Sequence, residues 1–178
     1  MTTIMSIRLD DYLPSVTDFP RPGVVFRDIS PLLADPAAFA YAVESMAAAT
    51  AGWRVDRIAG IESRGLIFGA ALALHMARPL VPMRKAGKLP PPIVRASYAL
   101  EYGSDALEMQ RTAIGRGESV LLVDDVIATG GTLLAAADLV RQLGGMVSGV
   151  VALLSIDPLG GKERLRAAGI ESRTLLPV

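Results

Sequence analysis

The amino-acid sequence predicts an α/β fold built on an open, mostly parallel sheet with helices on both faces. Three observations predict it. Short, nearly unbroken apolar runs alternate with Ala/Leu-rich stretches of helical length. The runs lack the in-out alternation of a half-exposed sheet, as strands covered on both faces do. The most apolar of them, Val120-Leu121-Leu122-Val123, stops at two acids and a glycine-rich loop before a helical stretch begins.

In chain order, residues 6–12 carry Ile7 and Leu9 among charges and predict a short amphipathic helix. Pro20, Pro22 and Gly23 fix a bend, from which Val24-Val25-Phe26 emerges extended. Asp35-Pro36 is an N-cap followed by proline at the first helical position, and opens a helix to about Ala49. Arg57 to Ile61 reads as a buried strand, 66–77 as an apolar helix, and 80–83 as the next strand. Between Arg84 and Gly103 the pattern dissolves into prolines, cations and tyrosines. A connection of that length is usually a lid or binding loop. Ile93-Val94 and Ser97 to Leu100 are expected to pair as a hairpin inside it, and 107–114 to form a short helix. The central strand follows, then a helix over 133–143, a β-prone run over 146–154, a short helix over 162–168 after Gly160-Gly161, and a last strand over 170–176.

Composition sets the boundaries of function. The 178 residues fit one domain with a small appended lobe, and 51% are hydrophobic, so a sizeable core can be buried. Eighteen basic residues match eighteen acidic ones, which argues against a general nucleic-acid binder. There is no cysteine and one histidine, His75 on a helical stretch. Thiolate chemistry, His triads and multi-His metal sites are therefore excluded. No run approaches about 18 consecutive apolar residues, and no signal-peptide core opens the chain. The expectation is a cytoplasmic protein with no membrane partner.

The strand end at Asp124-Asp125 carries the clearest chemistry. Open α/β sheets bind ligands at the carboxyl edge of their strands. Gly130 and Gly131 let backbone approach a ligand, Thr129 and Thr132 add hydroxyls, and the helix N-terminus directs amides and dipole at an anion. A phosphate monoester fits that cradle. The two aspartates, acceptors only, suit sugar hydroxyls or a metal-bound water. Glu62-Ser63-Arg64-Gly65 stands at another strand end and offers amides, a hydroxyl and a guanidinium to a second anion. Arg84, Lys85 and Lys88 crowd a third. Glu101 and Tyr102 lie late in the long loop, where a lid could present one acid to the reaction.

Val120 to Thr132 resembles the phosphoribosyl-pyrophosphate (PRPP) motif of type I phosphoribosyltransferases: a hydrophobic strand, two acids, two variable residues, then Ala-Thr-Gly-Gly-Thr. Phe19-Pro20-x-Pro22-Gly23-x-x-Phe26-Arg27-Asp28-Ile29, Glu62-Ser63-Arg64-Gly65, Arg84-Lys85-x-Gly87-Lys88-Leu89-Pro90 and Leu100-Glu101-Tyr102-Gly103 are similar, in order, to segments of the adenine phosphoribosyltransferase family. The resemblance spans most of the chain, from Asp18 to about Leu165.

It implies a type I fold in one domain, with a small hood from residues 1–35 and the C-terminal residues, and a mobile loop over 84–103. It implies transfer of a phosphoribosyl group from PRPP to adenine with Mg²⁺ held mainly by substrate, and a homodimer. Asp124 and Asp125 would take the ribose hydroxyls, and Ala128, Thr129, Gly130, Gly131 and Thr132 the 5′-phosphate. Glu62, Ser63, Arg64, Arg84, Lys85 and Lys88 would hold pyrophosphate. Val25, Phe26 and Arg27, with Ile156, would hold the base, Tyr102 would close over it, and Glu101 would be the catalytic acid/base. The chain departs from the family at Ser155-Ile156, where a glutamate and a leucine are usual. Transfer to another purine, such as xanthine or guanine, is the alternative within the class. A PRPP-sensing regulator is the alternative outside it, although no basic extension for nucleic acid is visible. The Gly-x-x-x-x-Gly-Lys-Ser/Thr of P-loop NTPases is absent.

Overall fold

The computed structural model describes residues 7–99 and 104–177. The chain forms two compact units, Met1–Ser45 and Met46–Val178.

In the first unit a one-turn 3₁₀ helix, Leu9–Tyr12, replaces the longer amphipathic helix expected over 6–12. Strands β1 (Ser15–Thr17) and β2 (Val25–Arg27) pair antiparallel, with Val16 opposite Phe26. The turn between them closes on itself. Asp18, at a positive φ of 57°, accepts the Gly23 amide at 2.8 Å, and the Phe19 amide donates to the Val24 carbonyl at 3.3 Å. The Phe19 and Phe26 rings meet edge to face at 5.2 Å, a favoured aromatic geometry. A short helix α1 (Ser30–Ala34) follows, too brief to be signalled by periodicity. Helix α2 (Pro36–Ala49) begins where Asp35 and Pro36 indicate, with Asp35 Oδ1 accepting the amides of Ala37 and Ala38 at 2.9 Å each. Along α2, Ala38, Ala42 and Met46 repeat at four-residue spacing and are fully buried.

The second unit is a seven-stranded sheet in the order β5-β6-β4-β3-β7-β8-β9. Strands β3 (Arg57–Ile61), β4 (Leu80–Lys85), β7 (Ser119–Ile127), β8 (Met146–Ser155) and β9 (Ser172–Pro177) run parallel. Alternate residues of the central strands serve opposite faces. Ala59, Ile61, Val120 and Leu122 join helix α4 (Gly131–Gln142) in one apolar cluster with Leu139 and Val140. On the other face helix α3 (Gly65–His75) sits so close that a Cβ on Gly69 would be 2.7 Å from Gly60 Cα. The glycine pair is what allows a helix to lie on β3 at that distance. His75 is exposed at the end of α3, as its place in the helical stretch suggests.

Two expectations for the long loop are corrected. Ile93–Ala99 is one continuous strand, β5, and its partner is β6 (Ser104–Gln110), so the hairpin is longer than two short segments within 93–100. The expected helix over 107–114 does not form. Its first half is β6, paired antiparallel with both β4 and β5. Cross-strand chemistry overrides helical spacing there. Arg95 stands directly opposite Glu108, and the buried carboxylate accepts the guanidinium. Helix α5 (Gly161–Ala167) completes the unit.

Candidate active site

Strands β4, β3 and β7 are neighbours in register, with Gly60 opposite both Pro82 and Val123, and Ile61 opposite Met83. The residues next in chain are Arg84, Glu62 and Asp124. The three polar segments singled out in the sequence thus lie at one level of the sheet, although β7 does not stop at the two acids as expected but carries them and continues to Ile127, paired with β8. Glu62-Ser63-Arg64 leads into α3 through a cis peptide bond between Glu62 and Ser63. Ser63 is exposed and Arg64 half-buried.

Glu62 does not face outward. Its carboxylate accepts Arg84 Nε at 2.9 Å and the Lys85 amide at 2.8 Å. The Arg84 guanidinium and the Lys85 amide hold its carboxyl below the usual range, against burial, and the charge of Lys88 adds to this. These bonds tie the end of β3 to the start of the basic turn. Lys88 is exposed, and its amide closes the turn on the Lys85 carbonyl at 3.2 Å.

Asp124 and Asp125 are held differently. Asp124 packs against the first turn of α3, where a Cβ on Gly65 would come 2.7 Å from its Oδ1. Burial first, and the neighbouring Asp125 second, push its carboxyl well above the ordinary range. Asp125 is also raised by burial, but Arg64 Nη2 lies 2.8 Å from its Oδ2 and opposes the shift. The first is a carboxyl held against protein; the second is paired with a cation of the neighbouring strand end.

The loop Ala128-Thr129-Gly130 leads into α4, with Gly130 at φ 78° as the residue before the helix. That left-handed turn lets Gly131 and Thr132 begin the helix without their amides being used within it, the arrangement that receives an anion. Thr129 is exposed, and Thr132 is half-buried. At the end of β8, Ile156 donates its amide to the Ile127 carbonyl at 2.9 Å, which ties it to the end of β7. Ser155, at the departure from the family pattern, is buried, and its hydroxyl lies 3.4 Å from Thr174 Oγ1, so it is used within the protein.

The remaining named residues divide into two groups. Val25, Phe26 and Arg27 form β2 of the N-terminal unit, where the Arg27 guanidinium reaches Ser15 Oγ and Asp10 Oδ1, each at 3.1 Å. Glu101 and Tyr102 lie outside the described residues.

Sequence reasoning missed what organises the basic turn. Lys85 Nζ is 3.0 Å from Asp105 Oδ2, which also accepts the Tyr98 hydroxyl at 3.1 Å. Lys85 holds the Asp105 carboxyl below its usual value, and Asp105 in turn raises the Lys85 ammonium. Glu108 accepts the Gly87 amide at 2.9 Å. These partners become visible only once β6 is a strand, because pairing brings Asp105 opposite Tyr98 and Glu108 opposite Arg84 and Arg95.

Residues 33–169 match the family model described as a phosphoribosyl transferase domain. The chain is 48% identical over 168 residues to adenine phosphoribosyltransferase of Methylorubrum populi, covering 94% of this chain and 93% of the relative. The crystal structure of adenine phosphoribosyltransferase from Thermoanaerobacter pseudethanolicus superposes with a TM-score of 0.91 at 40% identity, covering 96% of this chain and all of that one. The yeast enzyme from Saccharomyces cerevisiae, crystallised with an imino-altritol bisphosphate and adenine, superposes with a TM-score of 0.88 at 38% identity, covering 94% and 96%. The fold is that of the type I phosphoribosyltransferases, and the chain belongs to the phosphoribosyl transferase domain family and, within it, to the adenine phosphoribosyltransferases.

Proposed function

We propose that this chain transfers the 5-phosphoribosyl group of PRPP to N9 of adenine, giving AMP and pyrophosphate. The observation that carries the reading is the common level of Arg84 on β4, residues 62–64 after β3 and Asp124-Asp125 on β7, beside an anion-receiving loop. One ligand with a phosphate, a diol and a pyrophosphate has a complement for each part. Membership among adenine phosphoribosyltransferases supports adenine as the acceptor.

In this reading the amides and hydroxyls of Ala128 to Thr132 take the 5′-phosphate, and the aspartates accept the ribose hydroxyls. The bond from the anomeric carbon to pyrophosphate breaks as the bond to N9 forms. Positive charge develops on the sugar, as in glycoside cleavage. The leaving group gathers negative charge, which Arg64, Arg84 and Lys88, with the amides after Glu62, are suited to stabilise. Lys85 is committed to Asp105 and serves this region mainly by fixing the turn. Glu101 accepts the N9 proton, and Tyr102 closes the lid that keeps water from the electrophile. Val25, Phe26 and Arg27, with Ile156, hold the base. The hood role of residues 1–35 and the C-terminal residues belongs to the same reading.

Mg²⁺ is the cofactor we assign. Among the described residues no group of three or more potential ligands forms a protein cage. The adjacent Asp124 and Asp125 offer only hard oxygen, which fits an ion carried by substrate oxygens and water with one or two carboxylates in support. When bound, it would neutralise pyrophosphate charge.

We also assign the chain to a homodimer in the cytoplasm. Ile67 and Leu74, seven residues apart on one face of α3, are exposed, Leu74 at 85%. That apolar face supports association with a second copy. Among the described residues no helix is long and apolar enough to cross a membrane.

The test is AMP formation from adenine and PRPP, with and without Mg²⁺. Metal-dependent product is expected, and no AMP under either condition would overturn the proposal.

A further inference from the structure

The Gly160-Gly161 pair has no part in the reading above, yet its second glycine touches the phosphate loop. A Cβ on Gly161 would lie 2.1 Å from the Ala128 carbonyl oxygen and 3.0 Å from the Gly130 nitrogen. The approach is reciprocal, since a Cβ on Gly130 would be 3.0 Å from the Gly161 carbonyl oxygen. Backbone meets backbone here, so no side chain can swing aside to make room. A Cα–H of Gly161 points at the Ala128 carbonyl, a weak contact that only glycine permits at this distance. One turn further along α5, Arg164 Nη1 donates to the Thr129 carbonyl at 2.9 Å. Two of the loop's carbonyls, Ala128 and Thr129, are therefore engaged from behind by α5.

A peptide carbonyl held on one side fixes the plane of its peptide, and with it the direction of the following amide. Holding the Ala128 and Thr129 carbonyls sets where the amides of Thr129 and Gly130 point. A charge-assisted bond from a guanidinium is the stronger of the two constraints in energy. The glycine contact is the stricter in geometry. Gly130 has no side chain, and the Thr129 side chain is exposed, so neither side chain anchors these peptides.

We propose that Gly161 and Arg164 are positioning residues that shape the loop 128–132 for the 5′-phosphate, acting through the Ala128 and Thr129 carbonyls without touching substrate. α5 itself carries no anion site in this account. The inference rests on the proposed phosphoribosyl transfer. If it holds, disturbing α5 weakens recognition of the phosphate end of the ligand and spares the base.

The test combines kinetics with direct binding on the full chain, using Gly161→Ala, Arg164→Ala and Arg164→Lys. For Arg164→Ala the KM for PRPP is expected to rise roughly three- to tenfold, the usual scale for losing one charged hydrogen bond at an exposed position. For Gly161→Ala the rise is expected to reach about tenfold or more, because the loop backbone must move. The KM for adenine stays within about twofold in both, and Arg164→Lys, which keeps a donor, recovers part of the loss. Calorimetry with ribose 5-phosphate as probe should show the same weakening, and it does not depend on turnover. Absence of AMP formation by the parent would therefore defeat the proposed function while leaving this readout to judge the loop. Equal losses toward adenine and ribose 5-phosphate, or parent-like ribose 5-phosphate binding in Arg164→Ala, would overturn the inference. Should Gly161→Ala fail to fold, the two Arg164 variants decide it.

Discussion

Arg64 Nη2 lies 2.8 Å from Asp125 Oδ2, joining the segment after β3 proposed for pyrophosphate to the acids of β7 proposed for the ribose. The Asp125 side chain is 6% exposed and the Arg64 side chain 33%. A carboxylate so buried needs a partner to stay ionised. The same pair is suited to separate when PRPP supplies hydroxyls to the acid and a diphosphate to the guanidinium. The pairing thus keeps two recognition groups charged and side by side.

Arg64→Gln tests this through pH. Burial raises the Asp125 carboxyl and Arg64 lowers it, so losing the cation moves it further up. A larger fraction is then protonated as pH falls, and a protonated carboxyl is a poorer acceptor for hydroxyl donors. The KM for PRPP should rise about tenfold at pH 8. The ratio of mutant to parent KM should then grow as pH falls toward the carboxylate range. A ratio independent of pH would contradict the assignment.

Asp125→Asn should raise the PRPP KM and lower kcat together, since the group meets the sugar in the ground state and beside the developing charge. Steady-state kinetics with PRPP varied would show it. An unchanged KM would remove Asp125 from the ribose site.

Glu101→Gln should behave differently. General acid–base assistance contributes typically about 10²–10⁴-fold, so kcat should fall on that scale while the PRPP KM stays near the parent value. Near-normal turnover would take Glu101 out of the proton transfer.

Much of this arrangement was legible in the sequence because its signals are local. Asp35-Pro36 marks the start of α2, and the apolar run before Asp124 marks a buried strand, through chemistry that acts within a few residues. The β5–β6 hairpin was not legible. Leu107, Met109 and Ile114 suit a helix as well as a strand, and only the partners Arg95 and Tyr98, ten or so positions away, decide the matter. For the same reason the partners of Asp105 and Glu108 were not legible, and neither was the contact of Gly161, whose reason for being glycine is a carbonyl more than thirty residues earlier. Long-range pairing carries no periodic mark.

Gly65→Ala should be destabilising, since the added methyl would meet Asp124 Oδ1 at 2.7 Å and the Val123 carbonyl oxygen at 2.8 Å. Overpacking against fixed neighbours costs about 1–3 kcal/mol. Thermal or urea unfolding would measure it, and the PRPP KM should rise as Asp124 is displaced. A variant of parent stability would show that α3 can move off the strand end.

Glu108→Gln should report on the basic turn through acid stability. Arg95, and then the Gly87 amide, hold the Glu108 carboxyl below its usual value of 4.5. A depressed folded-state value means the unfolded chain binds the proton first as pH falls. The contribution is then complete above about 4.5 and lost as pH drops through the folded-state value. The melting temperature of the variant should lie below the parent's by a near-constant margin from pH 7 to about pH 5, with the gap closing beneath that. A gap that persisted unchanged to pH 3 would mean the ionised carboxylate is not what stabilises the turn.

The most direct measurement is a panel of adenine, guanine, hypoxanthine and xanthine, each offered with PRPP and Mg²⁺, with nucleotide formation followed for every base. The account predicts AMP from adenine and at most trace product from the other three. Efficient turnover of guanine or xanthine with none of adenine would contradict it.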